Sequence, residues 1–347
     1  MTTLHATRGA NFWSSRPVMR MDLAVGAYED ISSADVPGFT DSLMSAMPGL
    51  VEHRCSIGER GGFLIRLRDG TYAAHIVEHV ALELQTMIGH DVGYGKTRGG
   101  DIDGEYTLVF EHVHEAVGLR AAALALETVQ HAFAGTLSNV DHAVAELASL
   151  ATTPDVPAVR QRVLCGITGG SERAATRDEI VRRGFGSEDL IVDISPVFLL
   201  QAGLPYSRSD IAIITDTSLT DVPGRYREEE RAQQLVSTVA DAVDRGGIVI
   251  VPAKEWEVQD RVRESGCRVA IFASDSNVTR RDRKVARAVA LIVNDRIMID
   301  SRGERTDHGP LRPDFPAGAQ AAGALAAFTL NELQPQLAGT AASHSQI

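Results

Sequence analysis

The sequence predicts an α/β protein: a small α+β N-terminal domain followed by an α/β domain built on a mostly parallel sheet. Three observations predict it. The chain has 347 residues, more than one ordinary core accommodates. Prolines at both ends of Pro154-Asp-Val-Pro157 mark a linker. Beyond it, strands and helices alternate at the lengths that place helices on both faces of a parallel sheet. The expected divisions are a first domain over 1–150, a linker over 151–160, a second domain over 161–335, and a disordered tail of small polar residues over 336–347.

In the first domain a strand is expected around Arg20 to Leu23, and a short helix from Phe39 to Ala46 after the Pro37-Gly38 turn. Phe63 to Leu67 fits a strand or a helix equally. A helix from Ala73 to Ile88 stops at Gly89, which suits a C-terminal cap. A glycine-rich loop, Gly89 to Gly104, leads to a strand over Tyr106 to Phe110. Helices over Glu115 to Phe133 and Asp141 to Leu150 follow.

The second domain opens with a strand, Val163 to Ile167, a turn, Thr168-Gly169-Gly170-Ser171, and a helix ending near Gly184. Strands are expected over Leu190 to Ile194, Ile211 to Thr215, Ile248 to Pro252 and Val269 to Phe272. Helices are expected over Glu228 to Asp244 and Glu255 to Glu264. Ala286 to Val293 and Arg296 to Ile299 read as a hairpin around Asn294-Asp295. An alanine-rich helix, Ala317 to Leu333, closes the domain.

Composition narrows the function. Hydrophobic residues make up 44% and charged residues 23% of the chain, as in a soluble globular protein, and no run suits a membrane span or secretory signal. Cytoplasmic residence is expected. A net charge of −12 argues against nucleic acid as a partner. Cys55, Cys165 and Cys267 lie far apart and suggest neither a disulfide framework nor a zinc ribbon.

The candidate site is His75-Ile-Val-Glu78-His79. On a helix these three polar side chains share one arc, opposite Ile76, Val77, Val80, Leu84 and Met87. Histidines four apart can hold one zinc ion, and the glutamate between them can take a proton from metal-bound water. The order is HxxEH. From the residues alone the triplet more simply fits the solvated face of an amphipathic helix. A zinc site needs a third protein ligand, for which Glu115 is the first choice, with His53, Cys55 and Glu111 as competitors. Glu111 could instead orient a ligand imidazole. The loop after the helix carries Gly95-Lys96-Thr97, but His90 stands where a phosphate loop needs glycine. Lys96 and Arg98 instead suit an acidic substrate group, or an ordinary connection.

Arg8-Gly9-Ala-Asn11-Phe-Trp13-Ser14, Met21-Asp22-Leu23, Pro37-Gly38-Phe39, Glu52-His53-Arg-Cys55-Ser56, Gly61-Gly62-Phe63-Leu64, the HxxEH helix, Val92-Gly93-Tyr-Gly95-Lys-Thr97-Arg98 and Val109-Phe110-Glu111 occur in this order. Together they resemble the N-terminal domain of cyanophycin synthetase, over about the first 135 residues. The resemblance implies a polymer-binding domain that in some members is a metal-dependent hydrolase, with His75 and His79 as ligands and Glu78 as base. The ATP-grasp domain of those synthetases has no counterpart here.

The second half resembles a reduced Mur-ligase domain through Asp189-Leu-Ile-Val-Asp193 and Gly203-Leu-Pro-Tyr-Ser-Arg208-Ser-Asp210. The Mur phosphate loop should present glycine, lysine and threonine, whereas Gly170 is followed by Ser171 and Glu172. Ser171 then reads as a helix N-cap, and the turn as a possible small-anion site. The leading expectation is a zinc-dependent hydrolase of amide or isopeptide bonds in an amino-acid conjugate or cyanophycin-like peptide, with no ATP bound. The alternatives are a non-catalytic binding or regulatory module, or a subunit of an ATP-dependent amino-acid ligase. A peptide-like substrate, no membrane partner and a homo-oligomer are expected.

Overall fold

The computed structural model describes residues 1–7, 9–14, 16–100, 102–154, 162–186 and 190–343, with side chains as far as 333 except at 162. Most of the expected linker and Asp189 lie outside these residues. The chain divides into two compact units, Met1–Arg8 with Arg16–Val159 and Gly9–Ser15 with Arg160–Ile347.

The first unit runs β1 (Thr3–Ala6), β2 (Val18–Ala24), α1 (Phe39–Ala46), α2 (Gly62–Asp69), α3 (Ala73–Met87), β3 (Gly95–Gly99), β4 (Glu105–Glu111), α4 (Glu115–Phe133) and α5 (Asp141–Ala151). Its strands pair antiparallel in the order β1-β2-β4-β3. Along β2, Met19, Met21 and Leu23 are buried while Arg20 and Asp22 are not, the period of two that a half-covered strand imposes. Phe63 and Leu67, four apart, are both fully buried, so the segment that fitted either state is helical.

The glycine-rich loop needs correction, because its residues 95–99 form an edge strand, in register from Gly95 opposite Phe110 to Gly99 opposite Tyr106. Glycine and charged residues carry little strand propensity of their own. The edge of β4 supplies the hydrogen bonds that hold them extended.

The second unit comprises β5 (Arg162–Thr168), α6 (Arg173–Arg182), β6 (Ile191–Ile194), α7 (Pro196–Ala202), β7 (Arg208–Ile214), α8 (Glu229–Ser237), β8 (Val243–Pro252), α9 (Trp256–Glu264), β9 (Arg268–Phe272), α10 (Arg280–Val285), β10 (Ala286–Val293), β11 (Arg296–Ser301), β12 (Glu304–Pro310) and α11 (Ala317–Ser343). The sheet order is β6-β5-β7-β8-β9-β10-β11-β12. Strands β6 to β10 are parallel, and β11 and β12 antiparallel. The fold class is therefore α/β as expected. Asn294 and Asp295 take left-handed φ values of 50° and 56°, as the turn between β10 and β11 requires.

Two apolar clusters cover the two faces of this sheet. One joins Ile167, Ile213, Ile250 and Ala290 to Ile180 of α6 and the alanines of α11. The other joins Val249, Val251 and Ile271 to Leu199, Leu235 and Val258. Between Gly318 and Leu330 helix α11 is buried on nearly every side, Ala321, Ala322 and Ala324 being inaccessible, and its residues there are correspondingly almost all small or apolar. It extends to Ser343, so residues 336–343 of the expected tail continue the helix, and 344–347 lie outside the described residues. The helix expected over Glu228 to Asp244 ends at Ser237, passes through a 3-10 turn at Thr238–Ala242, and gives way to β8. None of the described helices is long and apolar enough to cross a membrane.

Candidate functional site

Helix α3 places the HxxEH residues by burying most of its circumference. Ile76, Val77, Val80 and Leu84 are fully buried, but so, nearly, are Glu78 and His79, at 5% and 6% exposure. The solvated-face alternative therefore fails. The polar arc lines a cleft of about 960 Å³ within the first unit, closed by the segments 49–56, 66–72 and 92–97 together with Tyr106.

The histidines and glutamates of the cleft floor are held by neighbours. His75 Nδ1 lies 2.8 Å from Thr71 Oγ1, and its Nε2 lies 3.3 Å from Cys55 Sγ. His79 stacks on Phe63 with ring centroids 3.9 Å apart, and its Nδ1 is 2.8 Å from His53 Nδ1. His53 Nε2 in turn lies 3.1 Å from Glu83 Oε2. A neutral His53 that donates from Nε2 to Glu83 accepts at Nδ1 from His79, which leaves His79 Nε2 with a lone pair. Glu78 accepts a 2.6 Å hydrogen bond from the Thr97 hydroxyl of β3.

Burial sets the protonation of these groups. It brings His75 down to about 4, helped by the Arg66 charge. It takes His79 well below the ordinary imidazole value, with His75 and His53 adding to the effect. It pushes Glu78 up to about 7, against the Thr97 hydrogen bond and the Lys96 charge. At neutral pH the cleft floor thus holds two neutral imidazoles beside a carboxyl poised to exchange its proton.

Two glycines are part of this construction. A Cβ on Gly95 would stand 2.6 Å from Glu78 Oε1, and one on Gly49 2.0 Å from Glu83 Oε1. Both carboxylates lie against bare backbone. Cys55 has a left-handed φ of 52°, a strained conformation for a non-glycine residue, and its thiol faces His75.

The sequence-level candidates separate here. His75, Glu78, His79 and Lys96 line the cleft, whereas Arg98 and Glu115 are not among its lining residues. Glu115 stands in the first turn of α4, where a carboxylate complements the helix dipole. The donor that joins the histidines is Cys55, with Sγ and the ring nitrogens of His75 and His79 all within 4.8 Å of one another. Glu111 holds the chain before β3, accepting from the N–H groups of Gly93 and Tyr94. Glu83 was legible but unread: it follows His79 by four residues and so shares its helix face. A nitrogen and sulfur donor set does not fit a hard magnesium ion, which takes oxygen ligands.

In the second unit, the turn before α6 has its N–H groups committed. The Asp216 carboxylate accepts from Gly170 N at 3.1 Å and from Ser171 N and Oγ, both at 2.8 Å. Ser171 is therefore not the N-cap; Glu172 is, at a left-handed φ of 57°.

Residues 18–134 match the family described as cyanophycin synthase-like N-terminal domain. Over 126 residues the chain is 48% identical to the cyanophycin synthetase of Synechocystis sp., and over 123 residues 50% identical to that of Crocosphaera subtropica. Each match covers 34% of this chain, which spans only 14% of the length of either relative. MurF from Acinetobacter baumannii is similar over 67% of this chain and 50% of its own, at a TM-score of 0.34 and 12% identity, too slight a likeness to assign chemistry. The first unit thus resembles the N-terminal domain of a synthetase, as the motifs implied. Two expectations are overturned by the relatives' names. They are named as synthetases, so the hydrolase reading fails, and with it the pairing of zinc with the exclusion of ATP.

Proposed function

We propose that this chain is a subunit of an ATP-dependent amino-acid ligase, and that the cleft of its first unit holds the amino-acid or peptide substrate. The observation that carries the reading is the cleft itself, in the part of the chain most similar to synthetases. Its walls carry Lys96, Arg54 and Arg66 beside Glu52 and Glu78, with Tyr72 half exposed at the rim. Cations of this kind recognise carboxylates, while carboxylates and aromatic faces recognise amino or guanidinium groups. A substrate with charges of both signs fits that lining. ATP is the co-substrate that such a ligation consumes, with magnesium as its usual companion. The free thiol of Cys55 and the buried thiols of Cys165 and Cys267 suit the reducing cytoplasm.

The test is to recover the tagged chain with its bound partners and supply ATP, magnesium, arginine and an aspartyl peptide. Amide formation matched by ADP release, and reduced about tenfold in Lys96→Ala, is the expected result. Release of amino acids from the conjugate by the chain alone, without ATP, would sink the reading.

A further inference from the structure

The second unit holds a concavity of about 640 Å³ that the ligase reading does not use. It lies where α10, the start of β10 and the β11–β12 hairpin meet, and its charged lining is Arg283, Arg287, Asp300, Arg302, Glu304 and Arg305. Four guanidinium groups face two carboxylates there, in a chain whose net charge is −12. Positive charge is thus concentrated against the trend of the whole molecule.

The arrangement is built rather than incidental. Asp300 lies opposite Arg305 in the β11–β12 register. Its two oxygens accept from Arg305 Nε at 2.5 Å and Nη2 at 2.8 Å, and Arg283 Nη1 donates to the same carboxylate at 2.7 Å. One carboxylate therefore fixes two guanidinium planes and neutralises only one of them. Arg302, at the tip of the hairpin with a left-handed φ of 53°, reaches Glu332 of α11 at 3.3 Å. Arg287 is different: its Nε is buried and has no hydrogen-bond partner among the described residues, and the same holds for Ser301 Oγ in the same lining. Among the described residues no carboxylate pairs with Arg287, so its charge remains for an oxyanion in the concavity. The volume exceeds that of a single inorganic anion and falls in the range of small-molecule sites.

We propose that this concavity binds a small molecule carrying two or more oxyanion groups, phosphates or carboxylates, with Arg287 as the donor that recognises it. Arg283 and Arg305, held by Asp300, supply fixed positive charge, and Arg302 closes the rim.

Titration calorimetry of the full chain at low salt tests this with two probes, inorganic pyrophosphate and the aspartyl-aspartate dipeptide. One-to-one binding of at least one probe is expected, with a Kd below roughly 1 mM. Pyrophosphate alone identifies the ligand as a phosphoryl compound, and the dipeptide alone as a polycarboxylate. Arg287→Met should weaken binding about tenfold. Arg302→Gln, on the exposed hairpin tip where folding is not at stake, should weaken it about threefold. Asp300→Asn, which frees two guanidinium groups, should tighten it, an effect that a purely structural role for these arginines would not produce. Binding of neither probe, or equal binding by the wild type and both arginine variants, overturns the proposal.

Discussion

Glu78 owes its character to what surrounds it at van der Waals distance. Burial raises its proton affinity to about 7, the Thr97 hydroxyl and Lys96 pull it down, and Gly95 leaves it just enough room. Gly95→Ala should force the carboxyl off Thr97, because the new methyl would stand 2.6 Å from Oε1. The expected cost is about 1–3 kcal/mol in thermal stability, together with weaker binding of the amino-acid substrate. Gly99→Ala, on the same strand with no atom within 4 Å of its Cβ, is the matched control. Equal calorimetric affinities for the two variants would show that Glu78 is not held by this contact.

At the scale of elements, α10 shows how a six-residue helix is kept in place. Asp282, fully buried, accepts from Thr279 N and Oγ1 at the helix start, from Lys254 N after β8 and from Gln259 Nε2 of α9. Burial alone would raise its carboxyl, but these hydrogen bonds outweigh it and leave the group below its ordinary value of 3.8. A carboxylate depressed in the folded state stabilises the fold fully above its unfolded value and loses that contribution as pH falls through the folded one. Stability should therefore fall below about pH 4, and Asp282→Asn should flatten that acid limb while costing about 1–3 kcal/mol at neutral pH. Urea midpoints from pH 2.5 to 7 for both proteins measure it. Parallel curves would remove Asp282 from the account.

At the scale of the whole molecule, sequence order and structural membership diverge. Gly9–Ser15 belong to the second unit although they precede the first. Ala10 O accepts from Leu204 N at 2.8 Å, and Phe12 packs edge-on against Tyr226 at 5.3 Å in the core of that unit. A fragment of residues 160–347 should be less stable than the second transition of the intact chain by about 3–5 kcal/mol, the cost of losing a buried phenylalanine. Fusing residues 9–15 to its N-terminus should restore part of the loss. A bare fragment with the intact chain's urea midpoint would contradict the assignment.

What the sequence determined by itself is whatever depends on near neighbours. The 3.6-residue spacing along Ala73–Met87, the alternation of Met19, Met21 and Leu23, the apolar strands of the parallel sheet and the Asn294-Asp295 turn are local patterns. Each is visible because the residues that make it are adjacent in the chain. Tertiary structure alone decided the rest. Whether the His75, Glu78 and His79 arc met solvent or a cleft depended on segments 49–56 and 92–97, far from it in sequence. The edge strand β3 exists because β4 offers unpaired backbone, a partner its glycines do not advertise. Cys55 rather than Glu115 stands beside the two histidines for the same reason: ligand distance is set by packing, and packing is not a property of sequence separation.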